Sequence, residues 1–403
     1  MKICLITPGH ISTNPRLVKE ATTLVEAGYK VHLIFTQYMG YLLGDDQLLL
    51  KNNPSITYDT LIWTNKDAFS RFLTGILQKL SNLFSSTFKH GFIFHKIVLN
   101  RNYRWQLRRA IAYKADLYIA HNAGALAVAA DAAKKNRTRF AFDAEDYHRG
   151  EDLSARMMNS LIYLENKYLP EARYITASAP LIATAYAKLY NKPVTTILNV
   201  FPTPKLPIDK KTERASLKLF WFSQTVGLGR GIESIIISMA ELKDRPIELH
   251  LLGNCDEAMK NRIGDIALEH GLNKRHIYYH PPIFADDIFS FASQFDIGMA
   301  SETGIPLNRD ICLTNKIFTY LQSGLAVVAS NTSGQMQLIR EYPQIGMLYE
   351  NDNPSKLTSI LAYYLDHSEE LIFAKEQSLS LAEEIFNWEK EEKKILSIIN
   401  NFK

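Results

Sequence analysis

Short apolar-rich runs alternate along the chain with longer stretches in which apolar residues return every three or four positions. The runs at 2–7, 31–35, 116–120, 139–142, 174–177 and 195–198 predict buried parallel strands. Residues 8–13 are rich in turn formers, and Asn14 then Pro15 pairs a helix cap with a proline at the first helical position. Leu17, Ala21 and Leu24 keep helical spacing, and Gly28 stops the helix. Strand, loop, helix and strand over 2–35 make a βαβ unit. The segment 202–214 holds Pro202, Pro204 and Pro207 among charges and predicts a linker.

The alternation then restarts. Strands are predicted at 217–222, 247–252, 277–279, 296–300 and 325–329. A glycine-bearing loop at 223–231 leads into an amphipathic helix at 232–242, and a short helix at 316–323 stops at Gly324. Helices follow from Leu357, the last at 388–400. Strands alternating with helices imply parallel sheets. The expectation is therefore an α/β chain of two doubly wound domains facing a cleft, 1–202 and 203–383, with 384–403 as a terminal helix. Ligands of such sheets sit beyond the carboxyl ends of the strands. The loops at 8–14, 121–124, 143–151, 223–231 and 301–315 are the places to look for chemistry.

Composition narrows the class without naming it. At 403 residues the chain has room for two or three domains of about 150 residues. A hydrophobic share of 46%, a charged share of 22% and a net charge of +4 are ordinary for a folded protein and exclude bulk disorder. Three cysteines, Cys4, Cys255 and Cys312, form no CxxC pair, so neither a disulfide framework nor structural zinc is expected, and a reducing cytoplasm fits. The first apolar run is too short for a signal peptide, and no transmembrane helix is expected. Residues 65–115 carry ten basic side chains against Asp67 alone, with Phe69, Phe72, Phe84, Phe88, Phe92, Phe94 and Trp105 interleaved. That pattern suits an anionic membrane surface, which would place the protein at the inner membrane face. It equally suits helices with packed aromatics and solvated charges. No nucleic-acid recognition motif accompanies the charge, so no nucleic-acid partner is expected.

Three loops carry candidate chemistry. In Ser223-Gln224-Thr225-Val226-Gly227-Leu228-Gly229-Arg230-Gly231, glycines expose backbone N–H groups at a helix start and Arg230 adds charge, a combination suited to phosphate. It is not a Walker A loop. Glu302 follows a strand and offers a carboxylate for sugar hydroxyls, while Thr314-Asn315-Lys316 opens a helix with free N–H groups and a cation. His121 stands at a strand end. Asp143, Glu145, Asp146, His148 and Glu151 form an acidic cluster that either binds hydroxyls and supplies a base or caps the next helix. No DxD triplet or tight His/Asp spacing calls for a metal, so none is expected. The absence of GxSxG and GxGxxG argues against a hydrolase and a dehydrogenase.

Ile11-Ser12-Thr13-Asn14-Pro15-Arg16-Leu17-Val18-Lys19-Glu20-Ala21, Gly229-Arg230-Gly231-Ile232-Glu233, and Asn315-Lys316-Ile317-Phe318-Thr319-Tyr320-Leu321 with Gly324, Val327 and Val328 resemble segments of family 4 glycosyltransferases of polysaccharide-biosynthesis type. The resemblance covers nearly the whole chain and implies the GT-B fold of two facing Rossmann-like domains. It also implies sugar transfer with retention, from a nucleotide-diphosphate donor (a UDP-sugar foremost) to a glycan or lipid-linked acceptor, with no cofactor. On this resemblance His121 and Glu302 are the catalytic candidates. The donor-binding candidates are Gly9, Asn199, Thr225, Gly229, Arg230, Asn254, Asn315, Lys316 and Thr319 in the C-terminal or facing loops. Asn14, Arg16, Asp146, His148 and Glu151 are the acceptor-binding candidates. The chain departs from the family where the second glutamate of the paired-Glu motif falls at Thr319, and where the loop from Glu302 to Thr319 is longer than usual. A non-catalytic GT-B subunit and a nucleotide-sugar epimerase are the alternatives.

Overall fold

The computed structural model describes residues 1–64, 75, 92–204, 215–351 and 353–401. Lys66, Arg71, Lys79 and Lys89 of the basic stretch, and 205–214 of the linker, lie outside the described residues. Contacts divide the chain into two units, Met1–Ile197 with Glu392–Lys403, and Leu198–Glu391.

The first unit is built on seven strands: β1 Lys2–Ile6, β2 Lys30–Gln37, β3 Thr57–Ile62, β4 Leu117–His121, β5 Arg139–Ala144, β6 Ile175–Ala177 and β7 Val194–Thr196. They lie in the order β3-β2-β1-β4-β5-β6-β7, and all neighbours are parallel. The centre of the sheet is covered on both faces, so β4 (LYIAH) is buried at every position. The alanine-rich helix Ala123–Asn136 lies close in: a methyl group on Gly124 would come within 3.0 Å of Pro8 and 3.1 Å of the Leu99 carbonyl. The helix Pro15–Glu26 starts as its sequence predicts, with the Asn14 side chain accepting a hydrogen bond from Leu17 N at 3.0 Å. Residues of the last helix, Trp388–Asn400, join this unit from Glu392 onward, where Thr23 donates to Glu392 and Tyr29 donates to Asn400.

The second unit has six strands: β8 Leu217–Thr225, β9 Ile247–Asn254, β10 Ile277–His280, β11 Ile297–Ala300, β12 Ala326–Ser330 and β13 Gly346–Tyr349. Their order is β10-β9-β8-β11-β12-β13, again parallel throughout. Leu219, Trp221, Ile235, Met239, Leu249, Leu251, Met299 and Val328 form part of its core. In each sheet the strand order reverses once, between β1 and β4 and between β8 and β11. Those reversals are the topological switch points where doubly wound sheets hold ligands. Among the described residues no helix is long and apolar enough to cross a membrane.

Candidate functional site

At the β8/β11 switch point, β8 runs three residues further than its apolar run, through a bulge. Phe222 pairs with Leu252 and Thr225 with Asn254, with the register irregular between them. The bulge is possible because Gly253 has φ +147° and no side chain; a methyl group there would come within 2.2 Å of the Ser223 carbonyl. Thr225 and Asn254 thus end exposed and side by side at the carboxyl edge. The loop that follows turns on Gly229 and Gly231, at φ +75° and +82°. Gly231 packs against Ser301, whose hydroxyl donates to the Arg230 carbonyl at 2.8 Å. Arg230 itself donates to the Ser223 hydroxyl at 2.7 Å and pairs with no carboxylate among the described residues. Glu233 accepts from the Gly229 N–H at 2.6 Å.

Beyond β11, Glu302 is buried and its backbone is fixed by Ser330, which accepts from the Glu302 N–H and donates to the Glu302 carbonyl, both at 2.8 Å. The Glu302 carboxylate meets Lys316 Nζ at 2.5 Å, and this ammonium lies 5.2 Å from the centre of the Trp221 ring. The helix Asn315–Gln322 that carries Lys316 sits low on the sheet because Gly298 leaves room for the Tyr320 ring; a methyl group on Gly298 would come within 2.1 Å of it. The helix's cap residue Thr314 makes no side-chain capping bond. Thr319 is buried and gives its hydroxyl to the Asn315 carbonyl of its own helix at 3.0 Å. Asn199 is half-buried in the same unit.

At the β1/β4 switch point a charged network lies mostly inside the first unit. Arg16 donates to both oxygens of Asp143, at 2.5 and 2.7 Å, and to the Ile197 carbonyl. Thr176 donates a further bond to Asp143 at 2.5 Å. His121 is fully buried at the end of β4. Its Nδ1 lies 3.2 Å from Glu145 and 3.4 Å from Asp143, and its Nε2 lies 3.0 Å from Glu20. The Glu20 contact has ion-pair distance without hydrogen-bond alignment, since Nε2 makes no hydrogen bond. Asn14 donates to the same Glu145 oxygen that faces His121, and Ser178 donates to the Glu145 carbonyl at 2.6 Å. Asn122, next to His121, is held at φ +73° and ψ 150°, a region rarely occupied except by glycine.

Burial by itself lowers the pKa of His121, but the neighbouring carboxylates of Asp143, Glu145 and Glu20 outweigh that and hold it well above the ordinary histidine value. Burial likewise disfavours the Asp143 carboxylate, and the Arg16 and His121 charges reverse this, holding it well below the usual carboxylate range. The carboxylates and the two cations therefore stabilise one another. His121, Asp143 and Glu145 offer ligand atoms within 4.8 Å of each other. Asp143 is engaged by the Arg16 guanidinium and the Thr176 hydroxyl, which makes this cluster part of a buried ion-pair network.

Glu145 is the half-exposed member of the network, with 19% of its side chain accessible. Asp146 and Glu151 are also half-buried, and His148 is buried with Nδ1 2.6 Å from Glu151 and Nε2 without a hydrogen bond. Burial lowers the pKa of His148, and the Glu151 contact outweighs it and raises it. Gly9 lies in the loop after β1, where its carbonyl accepts from Thr36 N at 3.3 Å. The same loop is pinned by His10, whose Nδ1 meets Asp46 at 2.6 Å while Nε2 accepts from the Tyr38 and Met39 N–H groups at 2.9 Å. Sequence reasoning passed over Glu20, His10, Asp46, Trp221 and Ser330. For Glu20 a signal existed: Arg16 and Glu20 share the buried face of their helix with Leu17, Ala21 and Leu24, and charges on an apolar face ask for partners.

No protein-family model matches the chain, and no curated protein matches it. Solved structures do. One is a glycosyltransferase from Rickettsia africae ESF-5, with a TM-score of 0.68, 13% identity, and coverage of 98% of this chain and 97% of that one. Another is Anabaena Alr3699/HepE in complex with UDP-glucose, with a TM-score of 0.71, 16% identity, and full coverage of both chains. A third is a putative UDP-N-acetylglucosamine 2-epimerase from Listeria monocytogenes, at 0.57 and 13%, covering 100% of this chain and 96% of that one. These likenesses establish the fold, which is GT-B.

Proposed function

We propose that this chain is a family 4 glycosyltransferase that moves a sugar, with retention, from a UDP-sugar to a glycan or lipid-linked acceptor. The observation that carries this reading is the make-up of the β8/β11 switch point. An arginine with no carboxylate partner among the described residues on a glycine loop, a buried carboxylate on Glu302, and an open helix start with Lys316 follow the adjacent strands β8 and β11 of one sheet. Arg230, Lys316 and the helix N-terminus supply positive potential for a diphosphate leaving group. Glu302 supplies an acceptor for sugar hydroxyls, and exposed Thr225, Asn254 and Gly229 border the same edge, with Asn199 in the same unit. That Anabaena Alr3699/HepE, of the same fold, was solved with UDP and with UDP-glucose supports the choice of nucleotide.

The N-terminal unit takes the acceptor. There the half-exposed Glu145, Asp146 and Glu151 are the hydroxyl-binding groups, and Asn14 and His121 hold Glu145 in place, with His121 in turn beside the Asp143 that Arg16 grips. His148 steadies Glu151. Calorimetric titration with UDP, GDP and UDP-glucose tests the reading; it predicts that one nucleotide binds and that Arg230→Ala weakens it by about 1.5–3 kcal/mol, the worth of a charge-assisted bond. An unchanged dissociation constant removes Arg230 from the site. Thr319 favours a second reading, a non-catalytic GT-B subunit, because its hydroxyl is spent on its own helix and offers no carboxylate to a ribose. Failure of every nucleotide to bind selects that reading, and turnover of the donor alone selects an epimerase.

The protein on this reading works at the inner face of a membrane. Arg104 and Arg108 are exposed on one face of the helix Tyr103–Tyr113, and Arg109 stands over Trp105 at 5.6 Å, with Asp59 3.8 Å away as its counter-charge. Reversing Arg104, Arg108 and Arg109 to Glu is expected to weaken binding to phosphatidylserine-containing vesicles by about 1 kcal/mol per charge removed. Equal binding of variant and parent in a flotation assay reduces these residues to a solvated face.

A further inference from the structure

We propose that the Lys316–Glu302 pair is a latch, closed in the free protein and opened by the diphosphate of the donor. This rests on the reading of the β8/β11 switch point as the donor site. With Nζ and Oε1 2.5 Å apart and both side chains about nine-tenths buried, each neutralises the other. A closed pair leaves the two groups unavailable for the roles the site needs, a cation for phosphate and a carboxylate for sugar hydroxyls. The other Glu302 oxygen accepts no hydrogen bond among the described residues, so the carboxylate is held at one corner only. The Lys316 ammonium is also held in part by the face of Trp221, at 5.2 Å, a partner it keeps when it swings off the carboxylate.

Charge balance gives the direction. A nucleotide-diphosphate sugar brings two negative charges, and Arg230 with Lys316 brings two positive ones. Transfer of Lys316 from Glu302 to the diphosphate leaves a bare, buried carboxylate. Such a group is costly unless it gains donors, and the hydroxyls of the sugar are those donors. The latch thus couples recognition of the two ends of the donor: phosphate releases the carboxylate, and sugar satisfies it. A nucleoside diphosphate without its sugar opens the latch at a penalty.

UDP binding to four proteins tests this. Glu302→Gln removes the charge of the competitor. Glu302→Asp keeps the charge but shortens the side chain by one methylene and pulls the carboxylate off Lys316. Both variants are expected to bind UDP about five- to tenfold more tightly than the parent, the usual coupling between charged neighbours. Lys316→Met in the Glu302→Gln background is expected to lose about tenfold or more. UDP-glucose is expected to gain less than UDP from Glu302→Gln, because the sugar loses its acceptor. Parent-like UDP affinity in Glu302→Asp, with tightening in Glu302→Gln alone, is a plain charge effect and overturns the latch while leaving the donor site standing. Failure of the parent to bind UDP or GDP overturns both. Thermal unfolding of each variant separates a folding defect from a binding one, and Glu302→Gln, nearly isosteric, is the variant that keeps the test alive if Glu302→Asp is unstable.

Discussion

Arg16→Met is expected to destabilise the N-terminal unit by about 3–5 kcal/mol, the cost of leaving a buried charge without its partner. Asp143 lies fully inside the unit and receives both arms of the guanidinium. With Arg16 gone, Thr176 and His121 remain beside the carboxylate, and the Ile197 carbonyl loses its donor. A domain's whole stability is about 5–15 kcal/mol, so the loss brings the unit close to unfolding. The ion pair of Arg245 with Asp366 is equally short, at 2.6 Å, but its side chains are 39% and 54% exposed. Arg245→Met is therefore expected to cost at most about 1 kcal/mol. Denaturant unfolding of the two variants makes the comparison, and equal losses would mean that the buried network contributes no more than a surface pair. Replacing both partners, Arg16→Met with Asp143→Leu, is expected to recover much of the loss, because no buried charge is then left bare.

The central strands were legible because they are parallel and covered on both faces, which forces continuous apolar runs. β1, β2, β4, β5, β8, β9, β11 and β12 all stand where such runs occur. The edge strands β3 and β13 were passed over for the same reason in reverse. β3 (TYDTLI) is half-exposed with an aspartate in its middle, and β13 (GMLY) is four residues long and mostly half-buried. The extension of β8 through Ser223, Gln224 and Thr225 was hidden in polar residues that pair only because of the bulge opposite Gly253. A bulge depends on what the partner strand permits, and that is written elsewhere in the chain.

The loops of the site could be located from sequence because strand ends and glycines mark them. Their internal pairings could not. Glu302 and Lys316 were each singled out as free ligand-binding groups, and the fold joins them. Arg16 is an acceptor-binding candidate by sequence, and the fold buries its guanidinium against Asp143. Nothing local distinguishes a charge that faces a ligand from one that faces another charge; the difference is set by which strands become neighbours. β1 lies beside β4 and β4 beside β5, and that order brings the helix after β1 up to His121 and Asp143.

The stability of the N-terminal unit is expected to fall as pH rises above about 6.5, with His121 contributing up to about 1.4 kcal/mol per pH unit, and His121→Gln is expected to remove that share of the slope. The sign follows from proton counting. In the unfolded chain His121 titrates near 6.5, whereas in the fold its pKa is well above that value. Between the two values the folded state holds a proton that the unfolded state has released, so raising the pH favours unfolding. Below 6.5 both states are protonated and the contribution is complete. Asp143 acts at the opposite end: its folded pKa is depressed, so its contribution is lost only as pH falls below 3.8. His148 is shifted in the same direction as His121 and adds to the alkaline slope. The parent must therefore be compared with His121→Gln rather than read alone. Urea unfolding at intervals from about pH 6 to 9 gives the two curves, which are expected to converge as the folded pKa is passed. Parallel curves would mean that His121 is neutral in the fold. Glu20, Asp143 and Glu145 would then be balanced by Arg16 alone, and Glu145 would be held by Asn14 without help from His121.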